Sequence, residues 1–235
     1  MVIVNKFINN LVVNMLEDLV KNYCETPFSP KMSFHRENGE RIERRFRFAS
    51  AKSYLDDYLS FYKTLPNLEE VVRHSCSGVF EFAYQGATYR IRHPHQQHYK
   101  TMKGEERGIE VSKLNDMSTK LLKNITVISQ TETFDDLYDI VRKEKISGFG
   151  ALAIYDTSVR IGSYLNICPN HVYLHAGAQQ GMSNLENKAL VASGVSEKAK
   201  VPVAELPDTL KKLHPIQIEN FLCLYKSEFI DLAER

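Results

Sequence analysis

The chain has 235 residues, 43% of them hydrophobic, enough for a sizeable core in one large domain or two small ones without a disulfide or metal staple. Thirty basic and 29 acidic side chains leave a formal charge of +1, so the molecule is no polycation and any attraction for an anionic partner is local. Cys24, Cys76, Cys168 and Cys223 are far apart and form no CxxC pair, which argues against a zinc ribbon or a thioredoxin-like motif and suits a reducing cytoplasm.

Lys6, Asn9, Asn10, Asn14, Glu17 and Asp18 interrupt the apolar N-terminus too often for a signal segment or a membrane span. Val4, Ile8, Leu11, Val12, Met15, Leu16 and Leu19 recur at helical spacing and predict an amphipathic helix packed on the body. Binding to a membrane surface is the competing reading, disfavoured by a polar face rich in asparagine rather than lysine. Pro27, Pro30 and Asn38-Gly39 then punctuate a loop. In residues 41–48, RIERRFRF, the arginines mix with Glu37, Glu40 and Glu43, which suits a salt-bridged surface better than a binding arm.

Ser50 is placed to cap a helix that buries Tyr54, Leu55, Tyr58, Leu59 and Tyr62 and is stopped by Pro66, and a short helix follows in NLEEVVRHS. At 79–92 the pattern changes. Phe80, Phe82 and Tyr84 alternate with Glu81 and Ala83, and Gln85-Gly86 separates them from Thr88 to Ile91, which predicts a β-hairpin. Helical sequence resumes near Ile109 and again after Thr133, a second cap candidate. Residues 168–193 read as a short helix, a Gly-containing break and a longer helix, and 194–207 as a connector. Pro215 opens a terminal helix with Ile218, Phe221, Leu222, Tyr225 and Phe229 on one face. The expected fold is mainly α with one small β-hairpin insertion. An N-terminal helical region, 1–105, and a second one, 106–235, are expected to form one compact unit.

Gly148-Phe149-Gly150 sits between helical sequence at Leu137 to Glu144 and at Leu152 to Leu165. Backbone amides in a tight turn at a helix N-terminus point outward, the helix dipole adds positive charge there, and glycine removes the side chain that would hold a phosphate away. This order resembles the helix-hairpin-helix motif of DNA-binding proteins. The resemblance implies that Ile146 and Phe149 pack internally and that Gly148, Gly150 and their neighbour Ala151 meet the phosphates of DNA, expected to be double-stranded. The competing reading is a corner whose glycines only let two helices cross closely.

More distantly, Ile146 to Leu185 resembles the helix-hairpin-helix base-excision DNA glycosylases, in which an aspartate about twenty residues beyond the hairpin serves a flipped base. The comparable segment here, HVYLHAGAQQG, contains no aspartate, and Ala151 and Leu152 stand where several of those enzymes place a lysine. The resemblance therefore implies the fold and a DNA partner, and leaves out the chemistry.

Arg90, Arg92 and Lys100, interleaved with Tyr84, Tyr89 and Tyr99, form an acid-free basic stripe suited to a nucleic-acid groove or, equally, to a solvated strand edge. His93 and His95 follow the hairpin, and His171 and His175 would share a face if their segment is helical. The four imidazoles would suit zinc or iron if the segments meet, while core hydrogen bonding is the commoner fate of such residues. Tyr155 and Asp156 are an acid/base candidate pair, with His175 as a third catalytic candidate; Asp156 would otherwise complement a helix dipole. DNA binding, with DNA repair or processing as its setting, leads these readings. A glycosylase-like enzyme or metal-dependent nuclease, and a non-catalytic interaction module, are the alternatives. No resident cofactor, no membrane partner and no particular oligomeric state is expected.

Overall fold

The computed structural model describes residues 2–35, 41–100 and 103–232, with side chains from residue 12 onward except those of 35 and 100. The Asn38-Gly39 pair lies outside the described residues. Helix α1 (Val2–Glu25) opens the chain, followed by the antiparallel strands β1 (Lys31–His35) and β2 (Arg41–Arg45). Helices α2 (Ala51–Lys63) and α3 (Leu68–Ser77) lead into the hairpin of β3 (Val79–Tyr84) and β4 (Ala87–Arg92). A short pair, β5 (His98–Lys100) and β6 (Glu106–Gly108), precedes α4 (Val111–Lys123), α5 (Ile125–Ser129), α6 (Phe134–Lys143) and α7 (Ala151–Leu165). Then come β7 (His171–Tyr173), α8 (Ala176–Asn187), β8 (Lys200–Pro202), paired with β7, and α9 (Pro215–Leu224).

The expectation of a mainly α fold with one hairpin is overturned. The structure is 54% helical and 16% strand, with four separate two-stranded antiparallel sheets among the described residues, and is a mixed α/β protein. Arginine explains the first missed pair. In β2 the inward positions are Ile42 and Arg44, and Arg44 lies over the rings of Phe46, Tyr84 and Tyr89 at 5.2–5.6 Å. A cation stacked on aromatics occupies a place where an alternation search looks for an apolar residue. Of the salt-bridged surface expected here, Glu43 meets Arg41 and also Lys31, while Glu37 and Glu40 lie outside the described residues.

Elements set by local chemistry match their sequence signals. Ser50 Oγ accepts the Ser53 N–H at 3.0 Å and Ser53 Oγ accepts the Ser50 N–H at 2.8 Å, fixing the start of α2. Asn67 caps α3 and Thr133 caps α6. Gln85 and Gly86 both take positive φ, 51° and 81°, as a two-residue type I′ hairpin turn requires.

The chain divides into two compact units. One contains residues 28–48 and 54–168. Its core gathers Val72, Cys76, Leu114, Met117, Leu137, Val141, Phe149 and Ile161, so that α3 packs on α4 and α7, and α6 packs on α7. The other contains residues 1–27, 49–53 and 169–235, with α8 against α9. There α1 buries Val12, Leu16, Val20 and Tyr23 at helical spacing, and Tyr23 meets the Phe221 ring edge-on. The short helix expected near residue 171 is the strand β7, and the expected glycine break falls inside α8. A Cβ on Gly177 would strike Cys223 and one on Gly181 would strike the Leu222 carbonyl, so these glycines let two helices approach closely. Among the described residues no helix is long and apolar enough to cross a membrane.

Candidate functional site

The turn between α6 and α7 holds its two glycines for different reasons. Gly148 has φ +87°, a left-handed conformation that a side chain strains. Phe149 beside it is 2% exposed, its N–H bonded to the Ile146 carbonyl at 3.0 Å, and both side chains pack into the core. Gly150 has ordinary extended backbone, φ −78° and ψ 178°, and an added Cβ would find nothing within 4 Å. It begins α7 with no side-chain cap. Helix geometry leaves the first-turn N–H groups of α7 without intrahelical partners, and the space beside Gly150 that a side chain would fill is open. Lys113 of α4 stands beside the turn: a Cβ on Gly148 would lie 3.3 Å from its Nζ. Lys113, Lys120, Ile146 and Ser147, together with Asp116, line a cavity of about 460 Å³.

A second cavity, about 430 Å³, is lined by Arg41, Arg90, Arg92, His98, Phe34 and Tyr99 among others. Arg90 pairs with Glu81 at 2.9 Å and Arg41 with Glu43 at 3.6 Å. Burial and the neighbouring Arg90 charge both lower the Arg92 pKa. The Lys100 side chain lies outside the described residues, while its backbone, in β5, pairs with Glu106 of β6.

The third constellation is polar and enclosed. At the end of β4 the His93 N–H donates to the Gly78 carbonyl at 2.8 Å, and Pro94–Gln96 forms a single 3₁₀ turn that swings Gln96 fully inside. Gly78 serves twice here. It ends α3 with φ +67°, and an added Cβ would lie 2.7 Å from Gln96 Oε1 and 2.9 Å from its Cβ. His93 and His95 are thereby brought to one carboxylate, Asp156 on α7. His95 Nδ1 is 2.8 Å from Asp156 Oδ2, His93 Nδ1 is 3.8 Å from the same oxygen, and the two rings meet edge-on at 4.5 Å.

Arg160, one turn after Asp156, is completely buried. Its Nη1 donates to the Ser75 carbonyl at 2.8 Å, its Nη2 to Gln96 Oε1 at 2.9 Å and to Asp156 Oδ2 at 3.4 Å, and its Nε to the Tyr58 hydroxyl. Burial alone would raise the Asp156 pKa, but the His95 hydrogen bond and the Arg160 charge overcome it and hold the carboxyl below the usual range. Burial pushes His93 down to about 3 against the pull of Asp156, and raises Tyr58 to about 12.

Of the residues singled out in the sequence, His93, His95 and Asp156 come together. Tyr155 faces elsewhere, 2% exposed and edge-on to Phe134. His171 and His175 belong to the other unit, on a strand and at a helix start rather than on one helical face. There His171 meets Asn170 and His175 meets Glu219 at 3.7 Å. Arg160, Gln96 and Lys113 were not anticipated. An Asp-Arg pair four residues apart on a helix was the available signal for Arg160. Comparison of the chain with family models, with curated proteins and with solved structures finds no match.

Proposed function

We propose that the protein binds DNA through its phosphate backbone at the turn from Ile146 to Ala151, with little regard for base sequence. One observation carries the reading: α7 starts at a glycine with open space around it and no side-chain cap, with the Lys113 side chain beside the same turn. Oriented amides, a helix dipole and a nearby ammonium suit an oxyanion of a polymer whose partner groups recur at regular spacing. The inward packing of Ile146 and Phe149 is what the helix-hairpin-helix resemblance implies for its hydrophobes. The arginine-lined cavity offers further positive charge in the same unit. Phosphate contacts carry no base code, so the expected partner is duplex DNA of any sequence.

The test is fluorescence anisotropy of a labelled duplex across a salt series. Binding in the micromolar range that weakens with salt is expected. Gly150→Ala places a methyl group where the phosphate would sit and should cost about tenfold, while Lys113→Gln should lower the salt slope by about one. No binding at low salt, or binding indifferent to both changes, sinks the proposal and leaves the turn as an architectural corner.

A further inference from the structure

We infer that His93, His95 and Asp156 form a site for a single divalent transition-metal ion, zinc being the best fit. The inference stands apart from the DNA reading.

The first support is geometric. One ligand atom from each residue lies within 4.8 Å of the other two, and all three residues are half-buried. Zinc bonds of about 2.0–2.2 Å in tetrahedral geometry place neighbouring ligand atoms roughly 3.3–3.6 Å apart. The separations from Asp156 Oδ2, 2.8 Å to His95 Nδ1 and 3.8 Å to His93 Nδ1, bracket that value, so modest ring rotations complete the set.

The second support is the bonding of His93. Its Nδ1 accepts the His95 backbone N–H at 3.5 Å, which gives that nitrogen a lone pair rather than a proton. The lone pair lies 3.8 Å from a carboxylate oxygen that receives Arg160 at 3.4 Å and Gln96 at 3.5 Å and has His95 Nδ1 at 2.8 Å, where a bound metal would take the place of a shared proton. Two electron-rich atoms held close with no proton between them are stabilised by a cation.

The third support is preorganisation. His93 caps and His95 lies within the turn that Gln96 anchors against Gly78, and Asp156 stands on a helix beside Arg160, so none of the ligands hangs from a free loop. Imidazoles and a carboxylate without sulfur favour zinc or a similar first-row ion over magnesium or calcium. Three protein ligands leave a fourth position for water or a substrate oxygen, as in open rather than structural sites. Arg160 competes for the carboxylate, which sets the expected affinity in the micromolar rather than the picomolar range.

The experiment uses the full chain without a histidine tag, stripped by chelation and dialysed. Zinc chloride and cobalt chloride are added separately, and bound metal is measured by mass spectrometry after equilibrium dialysis against an excess of the same metal, the dialysate being subtracted. About one equivalent is expected for the wild type. His93→Ala/His95→Ala should bind at least about a hundredfold more weakly, while His171→Ala/His175→Ala remains unchanged. Less than about a tenth of an equivalent in the wild type overturns the site, as does full retention in His93→Ala/His95→Ala. Should that variant not fold, the wild-type cobalt spectrum decides: intense visible bands of a four-coordinate nitrogen and oxygen site support the inference, and the pale spectrum of the hydrated ion overturns it.

Discussion

At its start α7 has open space beside an uncapped Gly150 and first-turn amides without intrahelical partners, whereas farther along the same helix Asp156 and Arg160 are joined to Ser75, Gln96 and His95. The difference is one of solvent. Open donors are satisfied by water until an anion replaces it, so leaving them uncapped costs little. Enclosed charges lose that water and persist only when the protein supplies partners. Damage to the start of α7 should therefore be read in binding, and damage to its middle in stability.

The largest expected effect is at Arg160. Arg160→Met keeps most of the volume but removes the cation beside the half-buried Asp156 carboxylate, takes the donor from Gln96 Oε1 and leaves the Ser75 carbonyl only its longer bond from Thr157, and should cost about 3–5 kcal/mol in urea unfolding. A loss below about 1 kcal/mol would mean that water or a rearranged His95 takes over, and the contrast with the helix start would collapse. Gly78→Ala comes next. Its positive φ and the Gln96 side chain packed against it should together cost about 2–3 kcal/mol.

The two glycines of the turn sharpen the comparison further. Gly148→Ala should lower stability by about 1–2 kcal/mol through φ alone, since the end of Lys113 can swing away. Gly150→Ala weakens the N-cap but restricts the unfolded chain at a φ that alanine accepts, and should change stability by less than about 0.5 kcal/mol net. Equal losses in thermal melts would show that both glycines serve helix packing. Separate outcomes, with Gly150→Ala affecting only the duplex, would assign them different duties.

What could be read from the sequence was what neighbours along the chain decide. Ser50, Thr133, Pro215 and the Gln85-Gly86 turn act on groups within three residues, and each does what its type predicts. The strands β5, β6, β7 and β8 span three residues each, too short for an alternation to declare itself. In the polar cluster, Asp156 and the two histidines were visible as chemistry-bearing residues. What encloses them was not. Tyr58, Ser75 and Gln96 reach Arg160 across 102, 85 and 64 residues of sequence, and the Gly78 that admits Gln96 looks like an ordinary helix end. Lys113 likewise meets the glycine turn only through the packing of α4.

The smallest effect concerns a turn where the chain supplies its own anion. Gly194, with φ +81°, opens a short turn whose N–H donates to Glu186 Oε1 at 2.6 Å, and the Ser196 N–H donates to Oε2 at 2.9 Å. A carboxylate thus occupies backbone donors there, as a phosphate would occupy those after Gly150. The Ser196 side chain, with the Gly194 and Ser196 amides, lowers the Glu186 pKa from the ordinary 4.5. A lowered folded pKa means that the stabilisation is fully present above the unfolded value and is lost as pH falls through the folded one. Thermal melts of the wild type should therefore lose this contribution progressively below about pH 4.5, and Glu186→Gln, which carries no titrating charge, should lack that part of the acid slope. Identical slopes in the two proteins would show that amides at such a turn gain nothing measurable from a bound anion, which would weaken the case for a phosphate at Gly150 as well.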